Sequence, residues 1–379
     1  MGQRMHMQGS FVADIRRVVS NMTMRRRSQD NADRYSSTAH AIYPCSLVYL
    51  DPAGASSPNS RSKSPLGYVW QALSLNKSLL RAGMPRLNVY TNAADRVTAL
   101  LSSVPANMRP EVHSLAETGI DLPKSTPFYA AHFKLDLLSQ VSERLPEDVL
   151  ALLLDTDIVA LRPLDADVVR RSARLGVGAF DISDQVFPAY GSARVIEDLE
   201  IVAGRRLNNP RWYGGEFLLA TPAFLRRLVV RGRQYFDRYA TEMSRLNHLG
   251  DEAFMSAALN VLADEGQPIL DLGAYQTVGR HWPGNTHRNL YWYKHCAFVH
   301  LPGNKQLIER EARFAEFDPA RFWRAVSLAH KVGLLRCLVK SLLPRMPRQS
   351  AREALSRAGR QGGDEPRKPQ EPSGSPKRL

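Results

Sequence analysis

The sequence predicts an α/β protein with a mostly parallel sheet flanked by helices, and three observations carry that expectation. Short apolar runs alternate with segments of helical period from residue 45 onward, the rhythm of strands joined by crossover helices. Val149–Leu154 reads V-L-A-L-L-L, an unbroken apolar run that suits a strand buried on both faces. The run stops abruptly at Asp155-Thr156-Asp157, and in open α/β sheets the ligand crevice lies at the carboxyl ends of the strands.

The elements follow in chain order. Residues 1–38 read as a basic arm, with a short amphipathic helix between Phe11 and Met22 ahead of Arg25-Arg26-Arg27. Cys45–Leu50 predicts the first strand, and the Ser- and Pro-rich stretch from Ala55 to Pro65 predicts a loop. Trp70, Leu73, Leu75, Leu79 and Leu80 have helical spacing, closed by Gly83. Strands are expected at 87–90 and 111–115, a helix at 95–101, and a strong amphipathic helix at 127–141 leading into the central strand. Beyond Asp157, strands are expected at 176–180, 217–221, 269–272 and 297–300, with helices at 222–245 and 250–262. Residues 181–212 and 279–287 read as loops that line the site. Phe322–Leu343 interleaves apolar residues with Arg and Lys, so residues 321–345 predict a basic amphipathic helical segment, and 346–379 a disordered basic tail.

At 379 residues, 44% of them hydrophobic, the chain can bury the core of one large domain, expected over residues 39–320. The net charge of +14 sits at the ends: residues 1–34 carry +4, residues 321–379 carry +10, and the body between is neutral. A neutral body argues against nucleic acid as a partner, whereas basic ends suit an anionic membrane surface. Cys45, Cys296 and Cys337 are odd in number and far apart, which argues against a disulfide framework and for a reducing compartment. No apolar stretch has the length of a membrane span. The N-terminal stretch lacks the apolar core of a secretory signal, and His6 breaks the myristoylation pattern begun by Met1-Gly2. The expected location is cytoplasmic, with peripheral attachment to the inner face of a membrane.

Asp155 and Asp157, separated by one residue, repel each other unless something positive lies between them. A hard divalent cation that also carries phosphate oxygens meets that need. The segment L-L-L-D-T-D-I-V-A-L-R-P-L resembles the D-x-D segment of GT-A fold glycosyltransferases, especially family 8, which uses nucleotide-sugar donors. The resemblance implies a Rossmann-like GT-A sheet and a manganese (or magnesium) ion held by Asp155 and Asp157. A-F-V-H-L-P-G-N-K resembles the family's C-terminal H-x-x-G-x-x-K motif, one residue shorter and without the Pro-Trp that usually follows. It implies His300 as third metal ligand and Gly303 and Lys305 as diphosphate contacts. P-F-Y-A-A-H-F-K-L-D-L-L resembles the helix before the D-x-D and makes Lys134 a donor-binding candidate; a surface lysine on an amphipathic helix would read the same way. Y-G-G-E-F-L-L-A-T resembles the acceptor-side strand, where Gly214 and Gly215 would admit a sugar to the backbone and Glu216 would bind hydroxyls; a glycine turn beside a surface Glu is the alternative. G-D-E-A-F-M-S-A-A-L-N resembles the family's D-Q-D-x-x-N helix start, so Asp251 or Glu252 would orient the acceptor hydroxyl or stabilise an oxocarbenium-like centre; Asp251 as a helix cap is the alternative. Asp51, at the end of the first strand, joins the donor-binding set.

The resemblance covers residues 43–306 and implies transfer of a sugar, with retention of configuration, from a UDP-sugar to the hydroxyl of a glycan or lipid-linked acceptor. Two other readings start from the same features: a sugar-phosphate nucleotidyltransferase, which wants a Gly-rich loop where this chain has D-P-A-G-A-S-S-P, and a non-catalytic binder of membranes or polyanions with an inert D-x-D.

Overall fold

The computed structural model describes residues 40–50, 65–118 and 122–342. Asp51, the N-terminal arm, the Ser- and Pro-rich loop and the tail beyond 342 lie outside the described residues. The chain divides into two units, residues 1–334 and 335–379.

The first unit is a mixed α/β body. Its main sheet has seven strands: β1 (Ala41–Leu47), β2 (Asn88–Thr91), β3 (Glu111–Ser114), β4 (Val149–Leu154), β6 (Val177–Asp181), β7 (Tyr213–Ala220) and β8 (Leu270–Asp271), in the order β3-β2-β1-β4-β7-β6-β8. β3, β2, β1 and β4 run parallel. Their crossovers are α1 (Leu66–Arg81), α2 (Ala94–Leu101) and α3 (Lys134–Arg144). β4 is buried from Leu150 to Leu154, as its apolar run demands.

β7 departs from the parallel pattern. It runs antiparallel to β4, with Leu154 opposite Phe217, and Asp155 N donates to Glu216 O at 3.0 Å. The start of β7 therefore meets the end of β4, and the G-G-E segment arrives beside the D-x-D. Had β7 been parallel, its carboxyl end would have been there instead. β7 is also longer than expected, beginning at Tyr213 rather than Phe217.

A second, three-stranded sheet is built from β5 (Ile158–Ala160), β9 (Val278–Arg280) and β10 (Phe298–His300), in the order β5-β10-β9. β10 pairs antiparallel with β5, placing His300 opposite Ile158, and parallel with β9, placing His300 opposite Arg280. The D-x-D turn is thus the link between the two sheets: Asp155 leaves β4 and Asp157 leads into β5.

Residues 181–212, expected as loops, instead form α5 (Ser183–Tyr190) and α6 (Ser192–Ala203). Val195, Leu199 and Val202 supply a buried helical stripe, but Pro188 and Gly191 mask it in the sequence. The helix expected over 127–141 is also divided. Residues 129–133 form a 3-10 turn after Phe128, whose φ of 60° breaks the helical path, and α3 starts only at Lys134.

The helices α4 (Ala166–Leu175), α7 (Pro222–Glu242), α8 (Asp251–Asp264), α9 (Leu290–Lys294) and α10 (Lys305–Glu311) complete the body. α11 spans Pro319–Leu342. Its first half contributes Phe322 and Val326 to a second apolar cluster with Val159, Val299, Leu301 and Ile308. Further along, Gly333 meets Gly284 so closely that a Cβ on Gly333 would lie 2.7 Å from the Gly284 nitrogen. In the second unit, Leu335, Leu338 and Val339 are exposed. No described helix is long and apolar enough to cross a membrane.

The body also encloses a histidine pair with a thermodynamic consequence. His281, after β9, is fully buried, and its Nε2 lies 3.1 Å from Nδ1 of His330 on α11. Burial, aided by the neighbouring His330, pushes His281 down to about 4. In the unfolded chain a histidine titrates near ~6.5, so between these values the unfolded state binds a proton that the native state does not. Stability is then full above the unfolded value and falls as the pH drops through this window. Urea unfolding at pH 7 and pH 5 should give a lower midpoint at pH 5, and His281→Asn should flatten the dependence by on the order of 1–3 kcal/mol. An unchanged pH slope in His281→Asn would remove the histidine from this role.

Candidate functional site

Five carboxylates meet where β4, β7 and β10 come together: Asp155, Asp157, Glu216, Asp251 and Glu252, interleaved with Lys134, Arg280, His300 and Lys305. The fold brings them from seven segments, Lys305 coming from the first residue of α10. Asp155 and Asp157 flank the turn between the two sheets; Thr156, between them, points into the body and donates to Gln71 Oε1 on α1 at 3.1 Å. That anchor turns both aspartates away from Thr156 and toward the same space. Glu216 comes from β7, Lys134 from the first residue of α3, and Asp251 and Glu252 from the first turn of α8. His300 ends β10 and Arg280 ends β9.

Lys134 is buried and donates to Asp155 Oδ1 and Asp251 Oδ2, both at 2.7 Å, and to the Gly215 carbonyl at 2.9 Å. Burial alone would lower its pKa, but the two aspartates outweigh that and raise it, so it stays charged. It is therefore not the solvated lysine of an amphipathic surface. Asp251 is not the cap of α8 either. That place is taken by Gly250, with φ 117°, and the Asp251 carboxylate turns instead to Lys134.

His300 sits between two acids, Nε2 at 3.0 Å from Asp157 Oδ1 and Nδ1 at 2.9 Å from Glu216 Oε1. Burial opposes its charge, yet these two carboxylates push it up to about 9. Asp157 is held well below the usual carboxylate range: burial would raise it, but Lys305, at 2.7 Å, and His300 prevail. Asp155 moves the other way. Burial raises its pKa, and the like charges of Asp157 and Asp251 offset part of what Lys134 contributes.

Glu216, expected to bind sugar hydroxyls, does something else. It is 1% exposed. Arg280 grips it through Nε to Oε1 at 2.7 Å and Nη2 to Oε2 at 2.5 Å, and His300 shares Oε1. With both oxygens engaged, it orients His300 and Arg280. The two glycines before it are equally occupied. A Cβ on Gly214 would collide with the Glu216 carboxylate and one on Gly215 with that of Asp251. The glycines make room for acids, not for an approaching sugar. Gly303 admits the Trp282–Pro283 loop, since its Cβ would fall 2.8 Å from Pro283 Cδ.

Sequence reasoning missed Arg280, which also pairs with Glu252 and is the sole permanent cation on either glutamate among the described residues. The available signal was indirect: two glutamates near the expected site had no assigned counter-charge. The aromatic walls were missed as well. The cavity beside these charges, about 470 Å³, is lined by Tyr49, Tyr68, Phe128, Tyr190, Trp212 and Trp282. It is also lined by Lys134, Asp155, Asp157, Asp251, Glu252, Arg280, His300 and Lys305.

The donor set fits a hard divalent ion. Asp155, Asp157 and His300 each offer an atom within 4.8 Å of the others. The two carboxylates suit manganese or magnesium, and the imidazole draws the set toward a transition metal. His300 would ligate through Nε2 as the neutral ring, with Nδ1–H directed to Glu216, a carboxylate–histidine pairing common behind metal ligands. Charge balance agrees. With His300 neutral, five carboxylates against Lys134, Lys305 and Arg280 leave two negative charges, the charge of one divalent cation.

No family model matches the sequence, and no curated protein matches it. Among solved structures, the chain is similar to apo mouse xyloside xylosyltransferase 1, at 12% identity and a TM-score of 0.39, covering 69% of this chain and 97% of that one. It is similar to the galactosyltransferase LgtC in complex with donor and acceptor sugar analogs, at 10% identity and a TM-score of 0.45, covering 74% and 99%. An active-site mutant of LgtC matches at 11% identity and a TM-score of 0.46, covering 75% and 95%. These are likenesses at low identity, and the reading of the site rests on its own side chains.

Breaking a buried ion pair on one side strands the other charge, at a cost of about 3–5 kcal/mol. Arg280→Met should therefore lower the urea midpoint by that equivalent, because Glu216 keeps only His300 and Glu252 loses its cation. Double replacement with Glu216→Gln should recover part of the loss. An Arg280→Met protein as stable as the parent would show that the pairing contributes nothing.

Proposed function

We propose that the chain is a metal-dependent glycosyltransferase of GT-A, family-8 type, which transfers a sugar from a UDP-sugar to an acceptor hydroxyl. The observation that carries this reading is the convergence of Asp155, Asp157 and His300 within 4.8 Å at the end of the central strand, beside two buried or half-buried lysines. Asp155, Asp157 and His300 would hold Mn2+ or Mg2+, which when bound supplies Lewis-acid neutralisation of a diphosphate.

The chain's own residues divide the remaining work. Lys305 and Lys134 border the cavity and would place positive charge where the departing nucleoside diphosphate gathers negative charge. Glu216 and Arg280 are positioning residues: they fix the His300 ring and hold Glu252 in place. Asp251 and Glu252 face the same cavity and serve to orient the acceptor hydroxyl or to steady positive charge at the anomeric carbon. Retention of configuration is the outcome the family resemblance favours. Gly303 and Lys305 remain in the diphosphate set, and Gly214 and Gly215 act through the acids they accommodate.

Calorimetric titration of UDP should give binding that requires manganese, disappears with chelator, and is absent in a double Asp155→Ala, Asp157→Ala variant. Binding of GDP in place of UDP would change the donor class. Absence of any nucleotide binding with any divalent metal would sink the transferase reading and favour a non-catalytic binder.

The acceptor is proposed to be a glycan or lipid-linked glycan at the inner face of a membrane, to which the basic C-terminal segment attaches peripherally. Exposed Leu335, Leu338 and Val339 beside Arg336 support this. Flotation with anionic liposomes should recover the full chain and lose a variant lacking residues 335–379. That truncation spares Phe322 and Val326, which the body needs. Equal recovery of both proteins would remove the membrane proposal.

A further inference from the structure

One wall of the cavity carries a second arrangement that the metal and diphosphate do not use. Asp198, on α6, is 1% exposed. Its carboxylate accepts hydrogen bonds from Asn247 N, Asn247 Nδ2 at 3.0 Å, His248 N at 3.0 Å and His248 Nδ1 at 2.7 Å. The carboxylate only accepts, so the proton of the neutral imidazole lies on Nδ1, and the lone pair is left on Nε2. Nε2 is buried and has no partner among the described residues. A buried polar atom without a partner is costly and uncommon, and calls for an explanation.

The ring around that nitrogen is framed by aromatics. Trp212 lies 5.2 Å from it, and Tyr190 stands edge-on at 4.6 Å and 86°. Trp212 is itself fixed, donating from Nε1 to Glu252 Oε2 at 2.8 Å. Tyr190 is 56% exposed at the last position of α5, before Gly191, and is the solvent-facing side of the frame. Tyr190, Trp212, Asn247 and His248 all line the same cavity as Asp251 and Glu252.

A preset lone pair between aromatic rings is a receptor for a neutral, hydroxyl-bearing ring: the hydroxyl donates to nitrogen and the C–H faces pack on the aromatics. A histidine that merely pinned the 246–250 loop would need Nδ1 alone, and its Nε2 would be paired or exposed to water. We propose that the Asp198–His248 dyad, with Tyr190 and Trp212, is the acceptor-sugar subsite, with His248 Nε2 accepting a hydrogen bond from a sugar hydroxyl. This rests on the transferase reading and names the acceptor's chemistry: an uncharged sugar, recognised through a hydroxyl rather than through an anionic group.

The test is saturation-transfer NMR on the full chain with methyl glycosides of glucose, galactose, mannose, xylose and N-acetylglucosamine, each with and without UDP and magnesium. At least one glycoside should receive saturation. His248→Asn keeps a nitrogen donor for Asp198 and removes Nε2 with the far edge of the ring; it should bind that glycoside at least about tenfold more weakly, the worth of one hydrogen bond. Tyr190→Ala should weaken it as well, with the UDP signal and thermal midpoint of both variants serving as controls of the fold. A parent protein that takes none of the glycosides, or a His248→Asn protein that takes them as well as the parent, overturns the proposal. Failure of UDP alone to bind overturns the donor reading separately, since the glycosides are read without it.

Discussion

The constraint on which the rest of the structure depends is charge balance around the end of β4. Five acids cannot share a largely buried corner without compensation, and each like-charge neighbour raises the cost of ionising the next. The chain meets this with cations from separate elements: Lys134 between Asp155 and Asp251, Lys305 on Asp157, and Arg280 between Glu216 and Glu252. His300 is the adjustable member. Flanked by two carboxylates it is held in its charged form, and under the proposed reading it would give up that proton to a divalent cation while the permanent ions stay in place.

Topology is what makes such a cluster possible. The main sheet is parallel through β4 and then reverses at β7, which puts the start of one strand beside the end of the other. A small antiparallel pairing does the same for β5 and β10, delivering His300 to Asp157. Two reversals on either side of one turn gather residues from positions 134 to 305 without long side chains having to search for one another. Small residues then set the spacing: Gly214 and Gly215 leave the volume that two carboxylates fill.

How much of this could be read beforehand follows from how local each signal is. The apolar run of β4 and the acids that end it announce themselves within nine residues, and His300, Gly303 and Lys305 stand together after a strand. Arg280 gives no such sign, because it ends a three-residue strand and its purpose exists only once Glu216 and Glu252 are near. The role of Glu216 was misread for the same reason: its partners lie 64 and 84 positions away. The helices at 183–203 were hidden by Pro188 and Gly191, which suggested irregular chain where they only separate two short helices. His248 lies in a short connection and becomes distinctive only when Asp198, 50 positions earlier, fixes its tautomer.

The two ends of the cavity obey different physical rules, and this bears on what each recognises. Around Asp155 and Asp157 the acids and bases are paired with one another, so an ion entering there would exchange one partner for another. Around His248 the surroundings are aromatic, the Asp198 carboxylate is fully engaged by the 247–248 loop, and the one unfilled position is Nε2. Trp212 joins the two regions, packing on His248 while bonding Glu252, which Arg280 ties in turn to Glu216 and the His300 ring. His300, Glu216, Arg280, Glu252 and Trp212 thus form a continuous hydrogen-bonded chain from the charged cluster to the aromatic wall, which holds the two regions in register.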